Sequence, residues 1–140
     1  MNILLDTNVI SELVRKQPNN KVVNWIESSD ESSLYLSVIT LGELVKGIAK
    51  LRDETRVKLL ERWVYHDLIH RFDGRILALD ASVMVRWGRI QGHAARDNFT
   101  LPVMDSMIAA IAIEHKMIVA TRNTDDLIRC GADVINPWNT

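Results

Sequence analysis

Apolar residues fall along this chain in two kinds of run. Short blocks of three to six, namely Ile3-Leu4-Leu5, Leu34 to Ile39, Ile76 to Leu79, Met117 to Ala120 and Asp133-Val134-Ile135, read as strands. Between them, apolar positions return every three or four residues, the spacing that puts them on one face of a helix. The first such segment is Val9-Ile10 with Leu13-Val14. A second carries Val22, Val23, Trp25 and Ile26 and is capped by Asn19 or Asn20. Leu41, Leu44, Val45 and Ile48 make a third. Val57, Leu60, Val64 and Leu68 predict a charged helix from about Glu54 to Ile69, broken at Gly74. Asp80 caps the next helix, whose stripe is Val83, Trp87, Ile90 and Ala94. Pro102 opens a nearly all-apolar helix from Val103 to Glu114, and a last short helix starts at Asn123 or Thr124. Strands alternating with helices predict the α/β class: a three-layer α/β/α sandwich around a mainly parallel sheet of five strands, in one domain over residues 1–140.

Composition narrows the setting. Hydrophobic residues are 47% and charged ones 25%, ordinary for a globular chain. A single cysteine, Cys130, allows no internal disulfide and favours a reducing compartment. No basic region precedes the first apolar run, and none of the runs nears the roughly 18 residues of a membrane span, so the expected location is cytoplasmic. With a net charge of -1, any nucleic-acid partner must be held by a local basic surface.

Four carboxylates stand at comparable points of separate units. Asp6 and Glu43 follow the first two strands, Asp126 follows the fourth, and Asp105 begins the apolar helix. Parallel sheets bind ligands at the carboxyl edge, where such residues project. Each also has a purely structural reading. Asp6 is a good helix N-cap, Thr40-xx-Glu43 fits a capping box, and Asp126 or Asp105 in a first helical turn complements the dipole. Asp105 is the least ordinary, because the positions one and two turns on are Ala109 and Ala112, which offer no charge partner. Should the four converge, they cannot all stay ionised without cations. An oxygen-only ligand set suits Mg²⁺ or Mn²⁺, which points to metal-assisted phosphodiester hydrolysis.

The segments Leu4-Leu5-Asp6-Thr7-Asn8-Val9-Ile10-Ser11, Ser37-Val38-Ile39-Thr40-Leu41-Gly42-Glu43-Leu44, Pro102-Val103-Met104-Asp105-Ser106-Met107-Ile108-Ala109-Ala110 and Ala120-Thr121-Arg122-Asn123-Thr124-Asp125-Asp126-Leu127, with Val134-Ile135-Asn136-Pro137-Trp138 after them, resemble the PIN-domain family and its VapC- and FitB-like toxin branch. Four in order across the whole chain make the resemblance specific. It implies a Mg²⁺-dependent ribonuclease with the acidic quartet Asp6, Glu43, Asp105 and Asp126. Asp6 and Asp105 would be the firmest metal ligands, Glu43 would hold metal or orient water, and Asp126 would complete a second metal site. It also implies a homodimer and a cognate antitoxin that blocks the pocket. Leu127 stands where the family usually has Phe. Asp125 beside Asp126 leaves the fourth acid ambiguous by one position; Asp126 is assigned because it directly precedes Leu127. Asn8, Thr121 and Asn123 are expected to support the acids by hydrogen bonds, or else to be plain turn residues.

Arg86, Arg89, His93 and Arg96 recur at helical spacing and would either contact RNA phosphates or form a solvated face. The four histidines show no metal spacing and no pairing for acid–base catalysis. A receiver-like phosphotransfer domain would want a second acid near Asp6 and a late lysine, where Thr7, Asn8 and Thr121-Arg122 stand. The remaining alternative is a catalytically inactive PIN-like binding module.

Overall fold

The computed structural model of the chain describes Met1–Thr140. Five strands form one all-parallel sheet: β1 (Ile3–Leu5), β2 (Leu34–Ser37), β3 (Ile76–Leu77), β4 (Ile118–Ala120) and β5 (Val134–Ile135), in the order β3-β2-β1-β4-β5. The helices are α1 (Thr7–Glu12), α2 (Asn20–Ser28), α3 (Val38–Ala49), α4 (Glu54–Arg62), α5 (Ile69–Arg71), α6 (Ala81–Arg96), α7 (Val103–Glu114) and α8 (Thr124–Arg129). The expected sandwich is therefore observed, with every strand pair parallel.

Because successive strand residues point to opposite faces, each buried strand serves two cores. Leu4 and Val119 enter the core made with α6, α7 and α8, while their neighbours Leu5 and Ala120 enter the core made with α1 to α5. The stripe Val83, Trp87, Ile90 and Ala94 seats α6 against the first of these. Helix α7 is hydrophobic nearly all round, and Ile108 to Ala112 are fully buried, as such a pattern requires.

Several boundaries differ from those predicted, for local reasons. The block Leu34 to Ile39 ends as a strand at Ser37, whose hydroxyl accepts from the Thr40 N–H at 3.2 Å and so caps α3; Val38 and Ile39 become its first turn. Strand β3 stops at Leu77, because its partner β2 has already ended there. The helix expected from Glu54 to Ile69 runs on to Arg71 but contains a π-helical stretch over Trp63–Leu68, which keeps Val64 and Leu68 both buried. Gly74 lies beyond the helix end, at φ 77°, where a glycine is favoured. Asp80 caps α6 and Asn19 caps α2, as expected.

Helices α6 and α7 pack antiparallel: Arg86 near the start of one pairs with Glu114 at the end of the other, 2.9 Å apart. In the first turn of α7 a buried hydroxyl joins them. Ser106 Oγ accepts from Trp87 Nε1 at 3.0 Å and from Gln91 Nε2 at 2.8 Å, while donating to the Val103 carbonyl at 2.8 Å. Replacing it removes the acceptor of two half-buried donors, of which Trp87 has no other and Gln91 keeps only the Leu101 carbonyl at 3.4 Å. Ser106→Ala should therefore destabilise the fold by about 1–3 kcal/mol. Urea denaturation checks this, and a loss within the ordinary ~0.5 kcal/mol of a surface change would show that the hydroxyl joins nothing.

Candidate active site

The centre of the sheet is also its switch point. The chain leaves β1 for β2 on one side and returns as β4 on the other, so the loops after β1 and β4 diverge and leave a crevice at their carboxyl ends. Asp6 follows β1 at that crevice and Thr121 follows β4. The two are bonded: the Thr121 hydroxyl donates to Asp6 Oδ2 at 2.7 Å. The Thr7 N–H donates to Oδ1 at 2.8 Å, and Asn8 Nδ2 reaches Oδ2 at 3.5 Å. Only 4% of Asp6 remains exposed. Burial raises its carboxyl above the usual range, the nearby charge of Glu43 adds to this, and the bonds from Thr121 and Thr7 work against it.

Glu43 lies in the second turn of α3 and faces the same crevice. Thr7 Oγ1 is 2.6 Å from Glu43 Oε1 and 3.0 Å from Thr40 Oγ1. One hydroxyl has one proton, and the short contact to a carboxylate claims it, so Thr40 donates to Thr7 and Thr7 to Glu43. The capping box read from Thr40-xx-Glu43 does not form. Thr40 is inside the helix that Ser37 caps, and its hydroxyl and Glu43 both turn to Thr7. Thr7 is thus a residue that the sequence analysis passed over, although it adjoins Asp6 on one side and Asn8 on the other.

Asp105 occupies the first turn of α7, above the buried Ala109 and Ala112. Its carboxyl is pushed up to about 6 from an ordinary 3.8, first by burial and then by the charges of Asp6, Asp126 and Glu43. That one side chain therefore senses the charge of the other three acids. Asn123 Nδ2 donates to Asp105 Oδ2 at 3.0 Å. Asn123 is the N-cap of α8, yet its side chain makes no capping bond; it is committed to Asp105 instead. Asp126, in the first turn of α8, is the acid whose charge reaches Asp105 and the buried Cys130, whose thiol is raised to about 11 by burial and these two charges. Asp125 is exposed and exerts no such effect.

The three expected supporting residues form one network. Asn123 N–H donates to Thr121 Oγ1 at 2.9 Å, Asn8 Nδ2 approaches Thr121 Oγ1 at 3.4 Å, and Asn8 Oδ1 accepts from the Arg122 N–H at 3.2 Å. Cations do little to balance the acids: Asp6, Glu43 and Asp105 have no ion-pair partner, and Asp126 alone has one, Arg129 at 3.9 Å. Arg122 sits over the Trp138 ring, 5.1 Å from its centroid. No three His, Cys, Asp or Glu side chains are gathered tightly enough to enclose a metal by themselves.

The row on α6 is not brought to the acids. Arg86 is held by Glu114, Arg96 lies 3.7 Å from its neighbour Asp97, and Arg89 and His93 are exposed. His93 borders a separate cavity of about 350 Å³ with Phe99 and Arg129.

The PIN domain profile matches residues 3–131. The chain is 39% identical over 137 residues to toxin FitB of Neisseria gonorrhoeae, covering 98% of this chain and 99% of that protein. It is 35% identical to VapC ribonuclease Y4jK of Sinorhizobium fredii, covering 97% of each. The crystal structure of FitAcB from Neisseria gonorrhoeae superposes with a TM-score of 0.93 at 38% identity, covering 99% of each chain.

The raised carboxyl of Asp105 makes stability depend on pH in a definite sense. Between the unfolded value of 3.8 and the folded value of about 6 the native state holds more protons, so stability falls as pH rises through that window. Asp105→Asn removes the effect. In the absence of divalent metal the variant should be more stable than the parent above pH 6, on the order of 1 kcal/mol once screening by water at this half-open site is allowed for. The two should converge below about pH 4. Thermal melts across that range check this; a gap that persists in acid would mean the substitution acts through packing.

Proposed function

This chain belongs to the PIN-domain family, in its FitB- and VapC-like branch, and we propose that it is a divalent-metal-dependent endoribonuclease, the toxin of a toxin–antitoxin pair. The observation that carries the reading is the uncompensated acid group at the sheet's switch point: Asp105, with no cationic partner, feels Asp6, Glu43 and Asp126 together. Such a group is costly unless a cation joins it. Its donors are all oxygens, the set preferred by Mg²⁺ and Mn²⁺. Carboxylates that do not close around an ion by themselves suit Mg²⁺, which binds through one or two of them and keeps several waters.

Asp6 and Asp105 are the residues that would hold the ion, with Glu43 and Asp126 flanking them. The chemistry a divalent ion supplies at such a site is activation of water and neutralisation of charge on a phosphoryl group. The chain's own part is orientation. Thr121 and the Thr7 N–H fix both oxygens of Asp6. Thr7 holds Glu43 by Oε1 and leaves Oε2 without a protein partner, free to accept a proton from water. Asn123 likewise occupies Oδ2 of Asp105 and leaves Oδ1 open to the crevice. Phosphodiester hydrolysis needs an in-line water and a stabilised leaving oxygen, and these positioned oxygens serve the first requirement.

The likeness to toxin FitB supports toxin activity, and the family resemblance implies a homodimer and a cognate antitoxin that would block the crevice. No helix of the chain is long and apolar enough to cross a membrane.

Purified protein incubated with total RNA should cut it with Mg²⁺ or Mn²⁺ and stop on addition of EDTA, and Asp6→Asn and Asp105→Asn should both be inactive. Cleavage that survives full chelation would sink the metal mechanism. RNA bound tightly but left intact under every metal condition would instead identify an inactive binding module. A second expectation concerns orientation. Thr121→Val keeps the shape and removes the hydroxyl that holds Asp6, so activity or Mg²⁺ affinity should fall about 10–100-fold. Unchanged kinetics would make Thr121 a turn residue.

A further inference from the structure

Helix α3 carries more than Glu43 on its outer face. Lys46 and Lys50 follow at three and seven residues, the spacing that aligns them with Glu43 along one side of the helix. Neither is engaged: no lysine enters any ion pair in the structure, and neither side chain donates a hydrogen bond to the protein. All three border one cavity of about 560 Å³.

The floor of that cavity is apolar and partly open. Val38 is 36% exposed and Met104, directly before Asp105, is 49% exposed, with Leu79 beside them. The cavity therefore spans from the acid on α3 to the residue adjoining the acid on α7. Its α3 wall is lined by Gly42 and Gly47, and a Cβ added to either would meet nothing within 4 Å. Glycine inside a helix is less favourable than alanine, and packing does not require it here. The two glycines, one before Glu43 and one after Lys46, leave that wall without side chains.

We propose that this cavity is the track for the RNA strand flanking the scissile bond, with Lys46 and Lys50 on successive phosphates and a nucleobase against Val38, Leu79 and Met104. The proposal rests on the ribonuclease reading and adds the residues that position its substrate. Charge selects the occupant. Four clustered acids, three of them without a cation partner, repel a polyanion, so the strand needs positive contacts close to the site, and two unpaired ammonium groups in line with Glu43 provide them. A cationic rim follows a strand by its phosphates without demanding a sequence, and the aliphatic floor offers a base apolar contact in place of aromatic stacking.

The test separates binding from cleavage. The probe is a fluorescein-labelled, mixed-sequence single-stranded RNA, titrated by anisotropy against the full-length protein in EDTA at several salt concentrations. Lys46→Ala and Lys50→Ala should each weaken binding several-fold and flatten the dependence of log Kd on log salt by about 0.7. Lys→Arg at the same positions should restore both. Gly47→Leu, which fills the cavity and leaves the charges, should raise KM for cleavage with Mg²⁺ while kcat is kept. Unchanged affinity and salt slope in the Lys46→Ala, Lys50→Ala double variant would overturn the track even if the parent cuts RNA. A parent protein that binds with this slope but never cuts would overturn the ribonuclease reading instead. Sedimentation gives the last arm: if Gly47→Leu shifts dimer dissociation and leaves RNA affinity untouched, the cavity is covered by a second copy of the chain and the proposal fails.

Discussion

The bond from Thr121 to Asp6 is the constraint on which the rest of this structure depends. It joins the carboxyl ends of β1 and β4 across the point where the sheet changes direction, and it does so with a carboxylate that is almost wholly removed from water. Burying a charge is tolerable only when its oxygens are satisfied. The chain meets that condition with the Thr7 N–H on one oxygen and, on the other, the Thr121 hydroxyl and the asparagine of the same turn. Thr121 in turn accepts from the Asn123 N–H, and Asn123 holds Asp105. One hydrogen-bonded path thus runs from the central strand to the start of α7, and a loss at Thr121 is felt at both acids.

Legibility from sequence followed the range of the interaction. The five strands and the faces of α2, α3, α6 and α7 were readable because hydrophobic periodicity records burial directly. Strand ends were less so: Val38 and Ile39 are good strand residues, and only the cap formed by Ser37 makes them helical. The positions of the acids at strand and helix ends were visible, and the family resemblance grouped them. Three of their partners, Asn8, Thr121 and Asn123, were named beside them; Thr7 was not. Thr40 and Glu43 have the spacing of a capping box, and spacing alone cannot say that Thr7, more than thirty residues earlier, supplies a better hydrogen bond. The choice of Asp126 over Asp125 rested on the leucine that follows, whereas the fold distinguishes them by which charge reaches Asp105.

These departures share a cause. Ser37, Asn123 and Glu43 each occupy a place where local rules assign a side chain to a helix end. Ser37 obeys. Asn123 and Glu43 are diverted to the crevice, so α8 begins without a side-chain cap and the capping box on α3 is lost. Local preferences are expected to fail where a site draws on the same residues, and the failures here fall on the acids and their supports. A helix of six residues, α8, can tolerate a missing cap because the buried Leu127 anchors it to the core beside Ile108 and Val119.

The same economy bears on how an acidic crevice can serve a polyanionic substrate. A net charge of -1 supplies no long-range attraction, and the arginines are largely occupied elsewhere: Arg71 and Arg75 on Glu31, Arg86 on Glu114, Arg122 over Trp138. Arginine is suited to such fixed, geometrically specific pairings. Lysine keeps a mobile, hydrated charge, and on α3 two of them are left unpaired beside Glu43. The division of labour is physical. Rigid cations hold the scaffold, Arg129 alone among them reaching one of the four acids, while Lys46 and Lys50 stay unpaired beside Glu43, where a phosphate would recruit them without breaking a bond that the fold requires.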